Sequence, residues 1–158
     1  MTVLEGGLYD IARLFLMPVL LLILASLTYS FVALGSFAME AWQRWRGVHR
    51  SRLAAHQSRT GCDSDDLELW IMKQLEWLRI VARSAPMLGL VATMIPMGPA
   101  LLAMTRNDAA AIGENLVVAF SAVILALISA SIAFFILTVR RRWLLVELRA
   151  VEQAREAR

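Results

Sequence analysis

The sequence predicts an all-α fold: an integral membrane protein with three transmembrane helices, two of them extended into the cytoplasm. Three observations predict it. Of 158 residues 59% are apolar and only 18% charged, with a mean hydropathy of +0.61; ordinary globular chains are close to half apolar and about 25% charged. The charges are clustered, and they leave charge-free blocks at 14–39, 84–105 and 115–139. A hydrocarbon core of roughly 30 Å needs about 20 helical residues to cross it, so each block is long enough. None alternates polar with apolar residues, as a barrel strand between lipid and lumen would have to.

Orientation follows from the cations. Arg44, Arg46, Arg50, Arg52, Arg59, Lys73, Arg79 and Arg83 lie between the first and second blocks, and Arg140, Arg141, Arg142, Arg149, Arg155 and Arg158 follow the third. The opposite side holds only Arg13 and Arg106. The positive-inside rule puts the crowded side in the cytoplasm and the N-terminus outside, as expected for a multi-pass protein of the cell inner membrane. The net charge of +3 then reflects topology and attraction to anionic lipid headgroups; no nucleic-acid partner is expected.

Residues 1–13 read as an external N-terminal segment, with Leu8, Ile11 and Phe15 along one side of the entering helix. Glu5 and Asp10 precede the first block where a signal peptide would carry a basic stretch, so the first span, 14–39, is expected to remain in the mature chain. Trp42 and Trp45 among Arg44 and Arg46 mark a headgroup boundary.

Residues 40–83 read as a cytoplasmic loop and helix. His49, His56 and Cys62 match no closed zinc spacing, and the stretch reads as a solvated connector with no metal. Beyond it Leu67, Trp70, Ile71, Leu75 and Leu78 recur at helical spacing. Asp65 with Glu68 three residues on is similar to a capping box. No proline follows until Pro86, which predicts one long rod running into the second span, 84–105. There Ala85, Gly89 and Thr93 form a line of small residues at four-residue spacing, suited to close helix contact. Pro96 and Pro99 remove backbone donors and predict a bend. An external turn is expected over 106–114, too short for anything but antiparallel neighbours.

In the third span, 115–139, Ala119, Ala122, Ala126, Ala130 and Ala133 form a second stripe of small residues, flanked by Ser121, Ser129 and Ser131. Such serines read as packing groups that return a hydrogen bond to their own helix, or as the wall of a pore. The tail, 140–158, keeps apolar positions at Trp143, Leu144 and Val151 and is expected to continue the helix.

No Asp, Glu, His, Lys or Arg lies within any of the three blocks, whereas proton relays in membranes are built on such groups. The sequence also carries no phosphate-binding glycine loop and no nucleophile motif. Neither an enzyme nor a cofactor is expected.

The run Ala85-Pro86-Met87-Leu88-Gly89-Leu90-Val91-Ala92-Thr93-Met94 resembles the second-span motif of the MotA/TolQ/ExbB proton-channel family, where Ala-Pro opens a Gly-Leu-x-Gly-Thr run. The stretch from Glu114-Asn115-Leu116 through Ser121 to Ala126-Leu127 resembles that family's last span. Ala92 stands where the family usually has Gly, Pro96 stands near a second usual Gly, and Val123 occupies the place of an expected threonine. With three spans the chain is similar to the ExbB and TolQ type. The resemblance implies a homo-oligomer, a pentamer, around the single span of an ExbD/TolR-like partner that carries an intramembrane Asp. It further implies a pore lined by Thr93, Ser121, Pro96 and Val123, and helix packing through Ala85, Gly89, Ala122 and Ala126. The implied work is coupling of the proton-motive force to a partner in energised, TonB-type transport. The alternative is a non-conducting membrane scaffold whose small-residue stripes serve packing alone.

Overall fold

A computed structural model describes residues 3–46 and 64–156, which form three helices: α1 (Val3–Trp45), α2 (Ser64–Thr105) and α3 (Ala109–Glu156). The connector bearing His49, His56 and Cys62 lies outside the described residues, as do residues 1–2 and 157–158. The external segment expected over residues 1–13 is, from Val3 on, the first turns of α1 and continuous with the span. α2 begins at Ser64, so Asp65 stands inside its first turn and not ahead of it as a cap.

At 1.5 Å per residue these helices are about 63–72 Å long, twice the thickness of a hydrocarbon core. All three are long and apolar enough to cross a membrane, and about half of each must project beyond it. α2 runs through Pro86, Pro96 and Pro99 without interruption, although the carbonyls of Ala92 and Ile95 have no donor one turn on. In their most apolar windows only 22%, 28% and 33% of the residues of α1, α2 and α3 are buried within the chain. Helices apolar on every side belong in lipid or against further helices.

The turn between α2 and α3 is shorter than the expected 106–114: it is Arg106 to Asp108. Its chemistry is local. Asn107 takes φ 52°, the left-handed conformation that ends helices. The amide of Asp108 reaches the carbonyl of Ala103 at 3.1 Å and that of Asn107 the carbonyl of Met104 at 3.2 Å, the two bonds of a Schellman motif. The Asp108 carboxylate then accepts from the amide of Ala111 at 3.1 Å, an N-cap for α3. One residue closes a helix and the next opens its neighbour.

α3 packs most extensively on α2 and, on another side, on α1. Ser30 meets Ser129 and Glu40 meets Arg140, so α1 and α3 run parallel and in step, with α2 antiparallel to both. The core has two parts. Towards the arginine-rich end a bulky cluster starts within the charge-free blocks at Phe37 and Ile136 and runs on through Ile71, Leu75, Leu78, Leu144 and Leu148, which lie beyond those blocks, where burial of apolar area from water is the driving force. Nearer the other end Val19, Ile23, Ala92, Ala122 and Ala126 make a thinner one. Lipid offers no such driving force, and helices approach through small residues and hydrogen bonds. Between the two, Ser30 and Ser129, both fully buried, pair at 2.9 Å, and Ser129 reaches Ser26 at 3.2 Å.

α2 approaches α3 closely at Gly89. A Cβ there would lie 2.9 Å from Ala126 Cβ and 3.3 Å from Val123 Cγ2. Ala126 Cβ is fixed to its backbone and cannot swing aside, so Gly89→Ala must push the helices apart. Overpacking of this kind costs about 1–3 kcal/mol, more than the roughly 1 kcal/mol gained in helix propensity. Thermal unfolding of the purified chain should show Gly89→Ala destabilised and the Gly89→Ala/Ala126→Gly pair restored; equal loss in both would remove this contact from the account.

Candidate conduit face

The α2–α3 pair has two long edges, one covered by α1 and one open. Ala85, Gly89, Ala92, Pro96 and Ala100 form the buried line of α2. Thr93 flanks this line and is half-buried. Thr93, Pro86 and Arg79 follow each other at seven-residue spacing, so they share one stripe of α2. On α3 Val123, in contact range of Gly89, shares a stripe with Phe134 and Arg141, which lie eleven and eighteen residues on. Arg79, Phe134 and Arg141 line one groove together, so Thr93 and Val123 continue the same open edge towards the other end of the molecule.

The Thr93 hydroxyl donates to the Leu90 carbonyl at 2.7 Å. With its proton committed to the backbone, the oxygen keeps its lone pairs for an outside donor. It offers an acceptor without a charge.

The residues expected to line a pore do not share one place in a single chain. Pro96 is buried between helices. Ser121 is exposed, but it is two residues from Val123 and so about 200° round α3 from it, away from the edge where Thr93 lies. Ala85, Ala122 and Ala126 are buried, at 0%, 3% and 0% exposure, and Gly89 abuts Ala126.

Lower down, the molecule carries a charged collar. Arg140 donates to Glu40 through Nε at 3.1 Å and Nη2 at 2.7 Å. Arg44 donates to Glu147 and lies 3.6 Å from Glu40. These four side chains are only 11–22% exposed. Arg44 also covers the ring of Trp143 at 4.5 Å, and Trp143 stacks on Phe37 at 5.3 Å. Two cations and two anions thus clamp α1 to α3 just past the charge-free blocks. Glu114, the acidic residue nearest the other end of α3, is exposed. Among the described residues no cluster of three His, Cys, Asp or Glu able to hold a metal ion occurs.

Residues 37–153 match the sequence model of the MotA/TolQ/ExbB proton channel family. The matched segment begins at the foot of α1 and takes in the whole open edge and the collar. No curated protein and no solved structure matches the chain.

Proposed function

The chain belongs to the MotA/TolQ/ExbB proton channel family, and from that premise we propose that it is the uncharged sleeve of a proton path whose titrating carboxylate comes from another polypeptide. The observation that carries this reading is the open edge itself. It presents a hydroxyl acceptor at Thr93, while the charge-free blocks 84–105 and 115–139 supply no group able to take up and release a proton. A carboxylic acid on a partner helix would supply that group.

In this reading several copies, five on the family pattern, stand in a ring with the α2–α3 edge turned inward and α1 outward towards lipid. A single-span partner of ExbD/TolR type occupies the centre and brings an intramembrane Asp to the level of Thr93. The protonated acid donates to the Thr93 oxygen and crosses the narrow zone without net charge; its release on the far side drives the partner, in energised transport of the TonB type. The arginine-rich end faces the cytoplasm of a cell inner membrane. The largely unburied apolar surface of all three helices supports an assembly of copies in lipid, since so little of it is satisfied within one chain.

The test is the composition of the complex extracted from its native membrane. The reading requires several copies of this chain with at least one single-span protein bearing a carboxylate within its span. A homogeneous assembly of this chain alone would favour the scaffold.

A further inference from the structure

Close to the collar, on the edge away from α1, a groove of about 820 Å³ opens between α2 and α3. Arg79 and Arg83 line it from α2, and Arg141, Arg142 and Arg149 from α3; no Asp or Glu is among its described lining residues. Five guanidiniums in one concavity repel one another unless anions join them. The remaining surface is largely apolar, with Phe134, Leu137 and Leu145. Register brings the two linings together: because Gly89 sits against Ala126 and α2 runs antiparallel to α3, Arg83 and Arg79 fall opposite Phe134 and Leu137.

In the ring proposed above this edge faces the central helix, so the groove belongs to the inner wall, on the arginine-rich side of Thr93. Its occupant must come from within the assembly and answer both linings. A soluble anion would use the arginines and leave Phe134 and Leu137 in water. A wholly apolar segment would leave the guanidiniums crowded. A polypeptide stretch carrying acidic and apolar side chains uses both, its carboxylates held by guanidinium forks. The shape suits one face of a helix. Phe134 and Arg149 are fifteen residues apart, about 22 Å along α3, so the 820 Å³ has a section of about 36 Å², less than half that of a helix about 10 Å across.

We propose that the groove docks an acidic, amphipathic segment of the single-span partner, on the cytoplasmic side of its span; this rests on the sleeve reading. The occupant is chosen by charge complementarity and by continuity with the conduit edge. Continuity also fixes its place. Arg83 and Arg79 are ten and fourteen residues from Thr93, about 15 and 21 Å along α2. With the partner's carboxylate level with Thr93, its acidic side chains belong at that distance towards the cytoplasm.

The test is photo-crosslinking in the native membrane. p-Benzoylphenylalanine replaces Thr138, exposed within the groove, or Thr93, or Trp42 on the outward helix α1, and each adduct is mapped by mass spectrometry. Position 138 should attach to an Asp- or Glu-bearing segment of the partner, position 93 to the partner's span, and position 42 to no part of the partner. An exposed ion pair is worth up to about fivefold in an equilibrium, so Arg83→Gln with Arg141→Gln should lower the yield from position 138 at least about fivefold and leave that from position 93 unchanged. Attachment to the partner from 93 but not from 138, or from 138 to a stretch without acidic residues, would overturn the docking and leave the sleeve reading standing. An undiminished yield in the double variant would do the same. Attachment from 138 to a second copy of this chain would make the groove an interface between copies and overturn the proposal. Attachment to no other polypeptide from either 93 or 138 would remove the sleeve reading and this proposal with it.

Discussion

Replacing Thr93 by valine should lower proton flux through the complex by on the order of 10- to 100-fold while leaving its assembly unchanged. Valine has nearly the same shape, so the half-buried flank of α2 stays filled and the contact of Gly89 with Ala126 is untouched. Only the oxygen is lost. In a site without bulk water a hydrogen bond to a charged or transferring group is worth about 1.5–3 kcal/mol, which sets the size of the expected effect. Thr93→Ser, which keeps the oxygen and its bond to the Leu90 carbonyl, should retain most of the flux. Dye-monitored acidification of proteoliposomes, with subunit composition checked on the same preparation, decides the matter. Flux in Thr93→Val equal to wild type would remove this residue from the path.

The second large effect concerns stability. Glu40 accepts two hydrogen bonds from Arg140 and lies beside Arg44. Truncating it to alanine leaves two cations in a largely enclosed collar with Glu147 alone. Removing one partner of a buried pair costs about 3–5 kcal/mol; the residual exposure of 11–22% places Glu40→Ala at the lower end, about 3 kcal/mol. For a chain of this size that is roughly 6–12 °C in Tm. Glu147→Ala should cost less, because Arg44 keeps Glu40 within 3.6 Å. Trp143, stacked between this cluster and Phe37, reports the local melting by its fluorescence in a background where Trp42, Trp45, Trp70 and Trp77 are replaced by Phe. A Glu40→Ala chain that melts with the wild type would show that the collar does not hold α1 to α3. Replacing both Glu40 and Arg140 by methionine should be far milder than either single loss, since no charge is then stranded.

These effects rest on features that differ in how openly the sequence displays them. The three helices were legible because a missing charge over twenty residues has few other meanings in a chain this apolar. The run from the apolar stripe at Trp70 into the second span was legible for the same kind of reason, since no helix breaker separates them. The turn is less openly displayed: the charge pattern starts the third block only after Glu114, whereas the local signals, Asn107 followed by Asp108, mark a C-terminal cap and an N-cap and start α3 at Ala109. The collar was hidden by distance. Glu40 and Arg140 are 100 residues apart, and each alone looks like an ordinary boundary charge. The arginine groove was hidden by register. Arg79 and Arg83 read as cytoplasmic charges beyond the second span, and only the Gly89–Ala126 contact, set by two small side chains, slides them opposite Phe134 and Leu137. The resemblance implies both Ser121 and Val123 as pore residues, but two positions two apart on a helix lie about 200° from each other, so in a single chain they do not share one face.

The family match and the open edge make one prediction about the assembled state: the α2–α3 edge faces inward, round a helix that belongs to another chain. The structure of the complex extracted from its native membrane tests this most directly. The account predicts several copies of the chain in a ring, α1 outermost, with Thr93 turned to a central single-span helix and at the level of that helix's carboxylate. A ring in which Thr93 and Val123 face lipid, or one whose centre holds no other polypeptide, would contradict it.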